Sequence, residues 1–111
     1  MGISKTTFTE LLKNGQAVHS GVLSIKFIRP KQGDQSLSNQ YSIVVSIKVS
    51  KLAVIRNLLK RRSRDILQKH KDIIKNPLIC AIFLKAGSIR LSYRELESAI
   101  VAVFKQAKLL I

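Results

Sequence analysis

Between Gln16 and Arg29 the chain alternates. Leu23, Ile25 and Phe27 fall on one side, Ser24 and Lys26 on the other, which is the period of a half-buried strand. His19-Ser20-Gly21 interrupts the pattern, so the stretch divides into two short strands around a tight turn or bulge. Residues 30–40 are polar and carry Gly33-Asp34, a loop. Alternation resumes over 41–49, with Ile43, Val45 and Ile47 on one face and Ser42, Val44, Ser46 and Lys48 on the other. A loop of this length suits antiparallel pairing of the strands on either side of it. Residues 78–85, LICAIFLK, are almost continuously apolar, as in a strand covered on both faces inside a sheet.

The remaining apolar positions recur at helical spacing. Phe8, Leu11 and Leu12 share one side of a short helix over 7–14. Thr7 and Glu10 stand as a capping box and Gly15 as the stop beyond its end. Such a helix is too short to persist unless it packs on something. From Leu52 to Ile73 a longer helix places Leu52, Ile55, Leu59, Ile66, His70 and Ile73 within an arc of about 60°. Ser50 is its candidate N-cap, and Asn76-Pro77 ends the helical region. Ala86-Gly87-Ser88 is a turn. Ser92 and Glu95 form a second capping box, followed by Leu96, Ala99, Ile100, Val103, Phe104 and Ala107 at helical spacing to the C-terminus. The order is α-β-β-β-α-β-α: an α+β fold, a sheet of three or four strands with helices packed on it, in one domain over residues 1–111.

Composition supports a real core, because 46% of the 111 residues are hydrophobic. Charge adds what the pattern does not show. Twenty basic residues against six acidic ones give +14, an excess that repels itself in a compact chain and asks for an anionic partner. The single cysteine, Cys80, lies in the apolar run PLICAIFL, where a cysteine is ordinarily a small buried hydrophobe. One cysteine forms no internal disulfide, and the chain reads as cytoplasmic. No stretch reaches the roughly 18 apolar residues of a membrane span, and the N-terminus lacks the apolar run of a secretory signal.

The usual enzyme constellations are missing. Two histidines, His19 and His70, and one cysteine cannot build a zinc site of ordinary spacing. The acids form no general acid/base pair; Asp65 and Asp72, seven apart on the long helix, read as surface salt-bridge partners. There is no Walker loop or dinucleotide fingerprint. The chain offers no catalytic and no metal-ligating residue of its own. It offers cations in register instead. Residues 48–64 hold seven Lys or Arg and no acid, and Lys48 to Asp72 holds nine basic and two acidic residues, half of the net charge. Arg56, Asn57, Lys60, Arg61 and Arg64 fall in a separate arc of about 140°. Rows at i, i+4 and i+8 step by about 6 Å along the axis, comparable to phosphate spacing on a nucleic-acid strand. Arginine offers a planar fork for phosphate, and asparagine can bridge phosphate or ribose oxygens. A membrane-surface helix is the rival reading, but it would carry Trp or Phe opposite its charges, where this helix has only Ile and Leu.

Residues 46–64, SIKVSKLAVIRNLLKRRSR, resemble the signature of the bacterial ribonuclease P protein component, whose pattern is close to SKKVSKKAVxRNRxKRRxRE. Phe8-x-x-Leu11-Leu12-x-x-Gly15 and Leu91-Ser92-Tyr93-x-Glu95 are also similar to that family, and the likeness spans nearly the whole chain. The resemblance implies a two-layer α/β sandwich with a left-handed βαβ crossover around the basic helix, against the usual right-handed rule. It implies that the chain is the protein subunit of ribonuclease P. Such a subunit binds a catalytic RNA that removes the 5′ leader of precursor tRNA using Mg2+ held mainly by the RNA.

Carried over by position, Lys48, Lys51, Arg56, Asn57, Lys60, Arg61 and Arg64 would contact the catalytic RNA. Phe8, Leu12, Lys26 and Lys85 would line a cleft for the single-stranded leader. The departures are specific. Ile47 and Leu52 stand where the family has lysines, and Leu58 where it has the second Arg of an RNR triplet. Leu12 and Lys26 stand where aromatics are frequent, and Lys85 where Arg is. The alternative function is a general RNA-binding or ribosome-associated module with no endonuclease attached.

Overall fold

The computed structural model describes residues 3–29 and 39–111; the loop expected around Gly33-Asp34 lies outside them. In order come α1 (Lys5–Asn14), β1 (Gln16–Ser20), β2 (Leu23–Ile28), β3 (Gln40–Val45), α2 (Ala53–Lys69), β4 (Ile79–Leu84) and α3 (Tyr93–Gln106), with short 3-10 turns at Lys71–Ile73 and Ala86–Arg90. This is the expected α+β order. The break at Ser20-Gly21 is a two-residue hairpin loop. Gly21 takes φ +58° there, a left-handed value that glycine adopts without a Cβ penalty.

The four strands lie in the order β1-β2-β4-β3. Pairing of β3 with β2 does not occur. Instead β4 sits between them, antiparallel to β2 and parallel to β3. The physical reason is the composition of β4, whose apolar residues bury best at the centre of the sheet. The long α2 then carries the chain back so that β3 and β4 run parallel, as a crossover helix allows and a hairpin does not. Register fixes two faces. On one, Phe27, Ile25 and Leu23 stand opposite Cys80, Ile82 and Leu84, which stand opposite Tyr41, Ile43 and Val45. On the other, Lys26 and Ser24 flank Ala81 and Phe83, with Ser42 and Val44 beyond.

The first face carries the core. Helices α2 and α3 pack on it through Leu59, Ile66, Leu67, Leu96, Ile100, Val103 and Phe104. The short α1 lies across the reverse face, against β2 and β4. Its anchor is Leu11, fully buried and outside the main core cluster. The Phe8 ring lies tilted on Phe83 at 6.5 Å between centroids. Lys26 Nζ donates to the Leu12 carbonyl at 2.9 Å, in the last turn of α1, where a cation meets the negative end of the helix.

Several boundaries move, each for a local reason. Helix α1 starts earlier than Thr7: Ser4 is its N-cap and its hydroxyl accepts from Thr7 N. Gly15 closes α1 in an extended conformation, φ −70°. It is needed for space, since a Cβ there would lie 2.5 Å from the Leu11 carbonyl oxygen that the Gly15 N–H already uses. Strand β3 stops at Val45, and a turn over Ser46–Val49 follows, closed by Val49 N to Ser46 O at 3.0 Å. Val49 therefore takes the buried place and Ile47 is 66% exposed, not core. Leu52 is the N-cap of α2 and 63% exposed. Ser50, expected as the cap, uses its hydroxyl only to accept from Leu52 N.

Helix α2 ends at Lys69, before Ile73, which is 41% exposed. Helix α3 keeps the expected capping box, with Ser92 and Glu95 each accepting from the other's backbone N–H. It stops at Gln106, short of the C-terminus. Lys108 adopts φ +61°, with Lys108 N bonded to Lys105 O and Leu109 N to Phe104 O, a Schellman cap with lysine in the left-handed position. Leu109 is thereby buried, and Leu110 bridges back to Ile74.

Candidate nucleic-acid interface

The outer surface of α2 is set by what its inner surface must bury. Leu59, Ser63, Ile66 and Leu67 are its buried residues. Ser63 fits there because it is small and its hydroxyl bonds back to Leu59 O at 2.8 Å. Packing that stripe inward turns Asn57, Arg61 and Arg64 outward, all exposed. Arg56 and Lys60 lie at one edge of the stripe, half-buried. Arg56 also donates to the Ser50 carbonyl at 2.9 Å, so part of its fork holds the turn that leads into the helix. Lys48 and Lys51 are exposed in that turn, pinned below by Val49. The structure thus brings all seven expected RNA-contact residues onto one continuous surface made of the β3–α2 turn and the first three turns of α2.

Acids do not quench this surface. Among the described residues the ion pairs within 4.0 Å are Lys69 with Glu97, and His70 with the same carboxylate, both at 2.9 Å. These contacts, Lys69 foremost and then His70, hold the Glu97 carboxyl below its usual value. His70, expected in the apolar arc, is half-buried at the end of α2 and ties it to α3. Asp65 and Asp72 make no ion pair among the described residues, against expectation. Asp65 instead accepts from the Tyr93 hydroxyl at 2.8 Å, and that bond raises the Tyr93 phenol above its ordinary value.

A groove of about 700 Å3 opens between α2 and the start of α3. Arg61, Arg62 and Arg64 line it with Gln68, and Leu58 lines it beside them; Tyr93 with Asp65 closes the α3 side. Arg62, Gln68 and Tyr93 were not among the expected contacts. For Arg62 the signal was present in the unbroken Lys60-Arg61-Arg62. For Tyr93 the family-like Leu91-Ser92-Tyr93-x-Glu95 marked the position but not its partner, which is 28 residues away.

The expected leader-cleft residues lie on the reverse face. Phe8 lies tilted against Phe83, Leu12 is 41% exposed, and Lys26 bridges to α1. Lys85 is exposed just beyond Leu84, two residues after Phe83 and so at the same end of β4 as the Phe8 contact. Phe83 joins this group and was missed; reading 78–85 with a period of two would have placed it there. Cys80 is fully buried on the core face, and burial pushes its thiol far above the usual range, so it is a core residue and no nucleophile. Among the described residues no three of His, Cys, Asp and Glu come together. Among the described residues no helix is long and apolar enough to cross a membrane.

Comparison with known proteins gives a consistent result. A family model described as Ribonuclease P matches residues 3–108. The chain is 28% identical over 107 residues to the ribonuclease P protein component of Synechococcus sp. (strain JA-2-3B'a(2-13)), covering 96% of this chain and 80% of that one. It is 29% identical over 103 residues to the component from Pseudanabaena sp. (strain PCC 6903), covering 93% and 86%. Among solved structures, the fold matches the RNase P protein of Staphylococcus aureus with a TM-score of 0.85 at 22% identity, covering 98% of this chain and 95% of that one. It matches the RNase P protein from Thermotoga maritima with 0.82 at 18%, covering 96% of each.

Proposed function

Because this chain belongs to the ribonuclease P protein family, we propose that it works as the protein subunit of ribonuclease P, supporting removal of the 5′ leader from precursor tRNA by a catalytic RNA. The observation that carries this reading is the unquenched basic surface of Lys48, Lys51, Arg56, Asn57, Lys60, Arg61 and Arg64. Six of these are cations presented on a rigid helix and its entry turn, which is what a folded polyanion requires. Backbone contacts of this kind position an RNA without reading its sequence.

The reverse face supplies a second surface of different chemistry. Phe8 and Phe83 offer aromatic edges, Leu12 an apolar shoulder, and Lys26 and Lys85 positive charge. That combination of stacking and backbone attraction suits single-stranded nucleic acid, and the leader is the strand we assign to it. Three of the chain's six carboxylates are otherwise engaged: Glu95 caps α3, Glu97 holds Lys69 and His70, and Asp65 takes the Tyr93 hydroxyl. Magnesium in this reading is held mainly by the RNA, and would supply the activated water and the counter-charge for the reacting phosphate. The chain's part is to bind, orient and lower the concentration of magnesium needed.

Reconstitution tests the proposal. Bacterial catalytic RNA is combined with precursor tRNA at low magnesium, with and without this chain. The expected result is faster leader removal with the chain, and a smaller gain on a substrate whose leader is shortened to a single nucleotide. Cleavage no faster with the chain than without it refutes the assignment. Binding of the catalytic RNA should also fall with log salt at a slope of about −4 to −5 if six phosphates are engaged.

A further inference from the structure

The groove between α2 and α3 contains a carboxylate that ought to spoil it. Arg61 and Asp65 are four residues apart on one helix, a spacing at which opposite charges normally meet. They do not meet here. Asp65 Oδ2 is taken by the Tyr93 hydroxyl at 2.8 Å, and among the described residues no Lys or Arg nitrogen lies within 4.0 Å of Asp65. The donor that holds Asp65 is neutral and comes from the other helix. Arg61, Arg62 and Arg64 are left facing an open groove, with no protein anion within 4.0 Å of them among the described residues. Two of these three belong to the basic surface already described, so the groove is a continuation of it.

We propose that Tyr93 is a positioning residue for RNA binding: it draws Asp65 toward α3, so that Arg61, Arg62 and Arg64 stay unpaired and close together on one stretch of RNA phosphodiester lying in the groove. The inference rests on the reading of this chain as an RNA-binding subunit, and extends its RNA surface into the groove beside α2 to include Arg62. Arginine forks match phosphate oxygens bidentately. An arginine already paired with a carboxylate must first give it up, and that lowers both affinity and the number of counterions released.

Four variants test this with the bacterial catalytic RNA as probe, each checked for folding by circular dichroism and thermal melting. Tyr93→Phe frees Asp65 to pair with the arginines, and its affinity should fall by about three- to tenfold. Asp65→Asn removes the carboxylate and should bind at least as well as the parent chain. The double variant should match Asp65→Asn, because with no carboxylate there is no anion for the hydroxyl to keep from the arginines. Arg62→Ala should make the salt slope shallower by about 0.7 to 0.9.

A double variant as weak as Tyr93→Phe overturns the proposal, since Tyr93 would then act by supporting the fold or by touching RNA itself. An unchanged affinity for Tyr93→Phe overturns it as well, and so does an unchanged salt slope for Arg62→Ala. The parent chain separates the two levels. If it does not bind the catalytic RNA, the functional reading falls and this inference with it; if it binds and the variants behave otherwise, only the inference falls.

Discussion

Leu11→Ala should detach α1 while leaving the rest of the fold intact. Leu11 is the one fully buried residue of α1, and it lies outside the main core cluster. The substitution removes three carbons from a closed site, about 2.4 kcal/mol of transfer free energy, and the cavity left behind raises the loss to about 2–5 kcal/mol. What remains to hold α1 is the Phe8–Phe83 contact, about 0.5–1.5 kcal/mol, and an exposed bond from Lys26 to the Leu12 carbonyl. Neither offsets the entropy of ordering a ten-residue helix that is marginal alone.

The helix should therefore open locally, well below the cost of global unfolding. Amide hydrogen exchange would show Phe8 through Asn14 losing protection roughly 30- to 5000-fold, while β4 and α3 amides exchange as before. Leader-dependent stimulation should drop and affinity for the catalytic RNA should hold, since the basic surface is carried by α2. Equal loss of protection in α1 and β4 would refute the reasoning, because it would show that the two sheet faces unfold as one unit.

Other outcomes follow from single sites. Leu58→Arg places a cation in the α2–α3 groove and should tighten RNA binding, with a salt slope steeper by about 0.7 to 0.9; an unchanged slope would show that no phosphate reaches Leu58. Lys108→Gly removes the strain of a lysine at φ +61° and should stabilise the chain by about 1 kcal/mol in urea unfolding; a loss would mean the cap depends on the side chain. Glu95 and Glu97 have carboxyls held below the ordinary 4.5, the first by Ser92 and the second chiefly by Lys69. Depressed folded values contribute stability above pH 4.5 and lose it as pH falls through them. Acid titration of thermal stability should thus be flatter in Glu95→Gln and Glu97→Gln, and an unaltered profile would contradict those contacts.

What could be read in advance was local. The capping box at Ser92 and Glu95 needs only residues three apart, and the alternation of 23–27 needs only a period of two. The basic stripe of α2 was legible for the same reason. Long-range pairing was not. The 41–45 strand has the composition of a partner for either β2 or β4, and only the competition for the sheet centre decides it. Ile47 and Leu52 looked like core because the pattern was extended past the end of its element. Once the strand stops at Val45 and α2 begins only at Ala53, they have nothing to pack on. Ser63 shows the converse, a polar residue in a basic run that is buried because its hydroxyl can bond within its own helix. Tyr93 and Asp65 meet only because α2 and α3 pack side by side.

The sheet itself explains how the two proposed nucleic-acid surfaces can share so small a chain. Strand β4 sends Cys80, Ile82 and Leu84 into the core and Ala81 and Phe83 to the reverse face. One strand therefore supports both the helix layer that carries the basic surface and the floor beneath α1. Helix and sheet layers stack about 10 Å apart, so an RNA on the outside of α2 and a leader strand on the reverse face would be held on opposite sides of a rigid slab. Neither strand of nucleic acid needs to bend around the other's phosphates. Nine of the twenty basic residues then fall on two surfaces that do not face each other. That separation reduces self-repulsion in the free chain, and it lets each surface be altered without the other: Leu58 and Arg62 tune one, Leu11 and Phe83 the other.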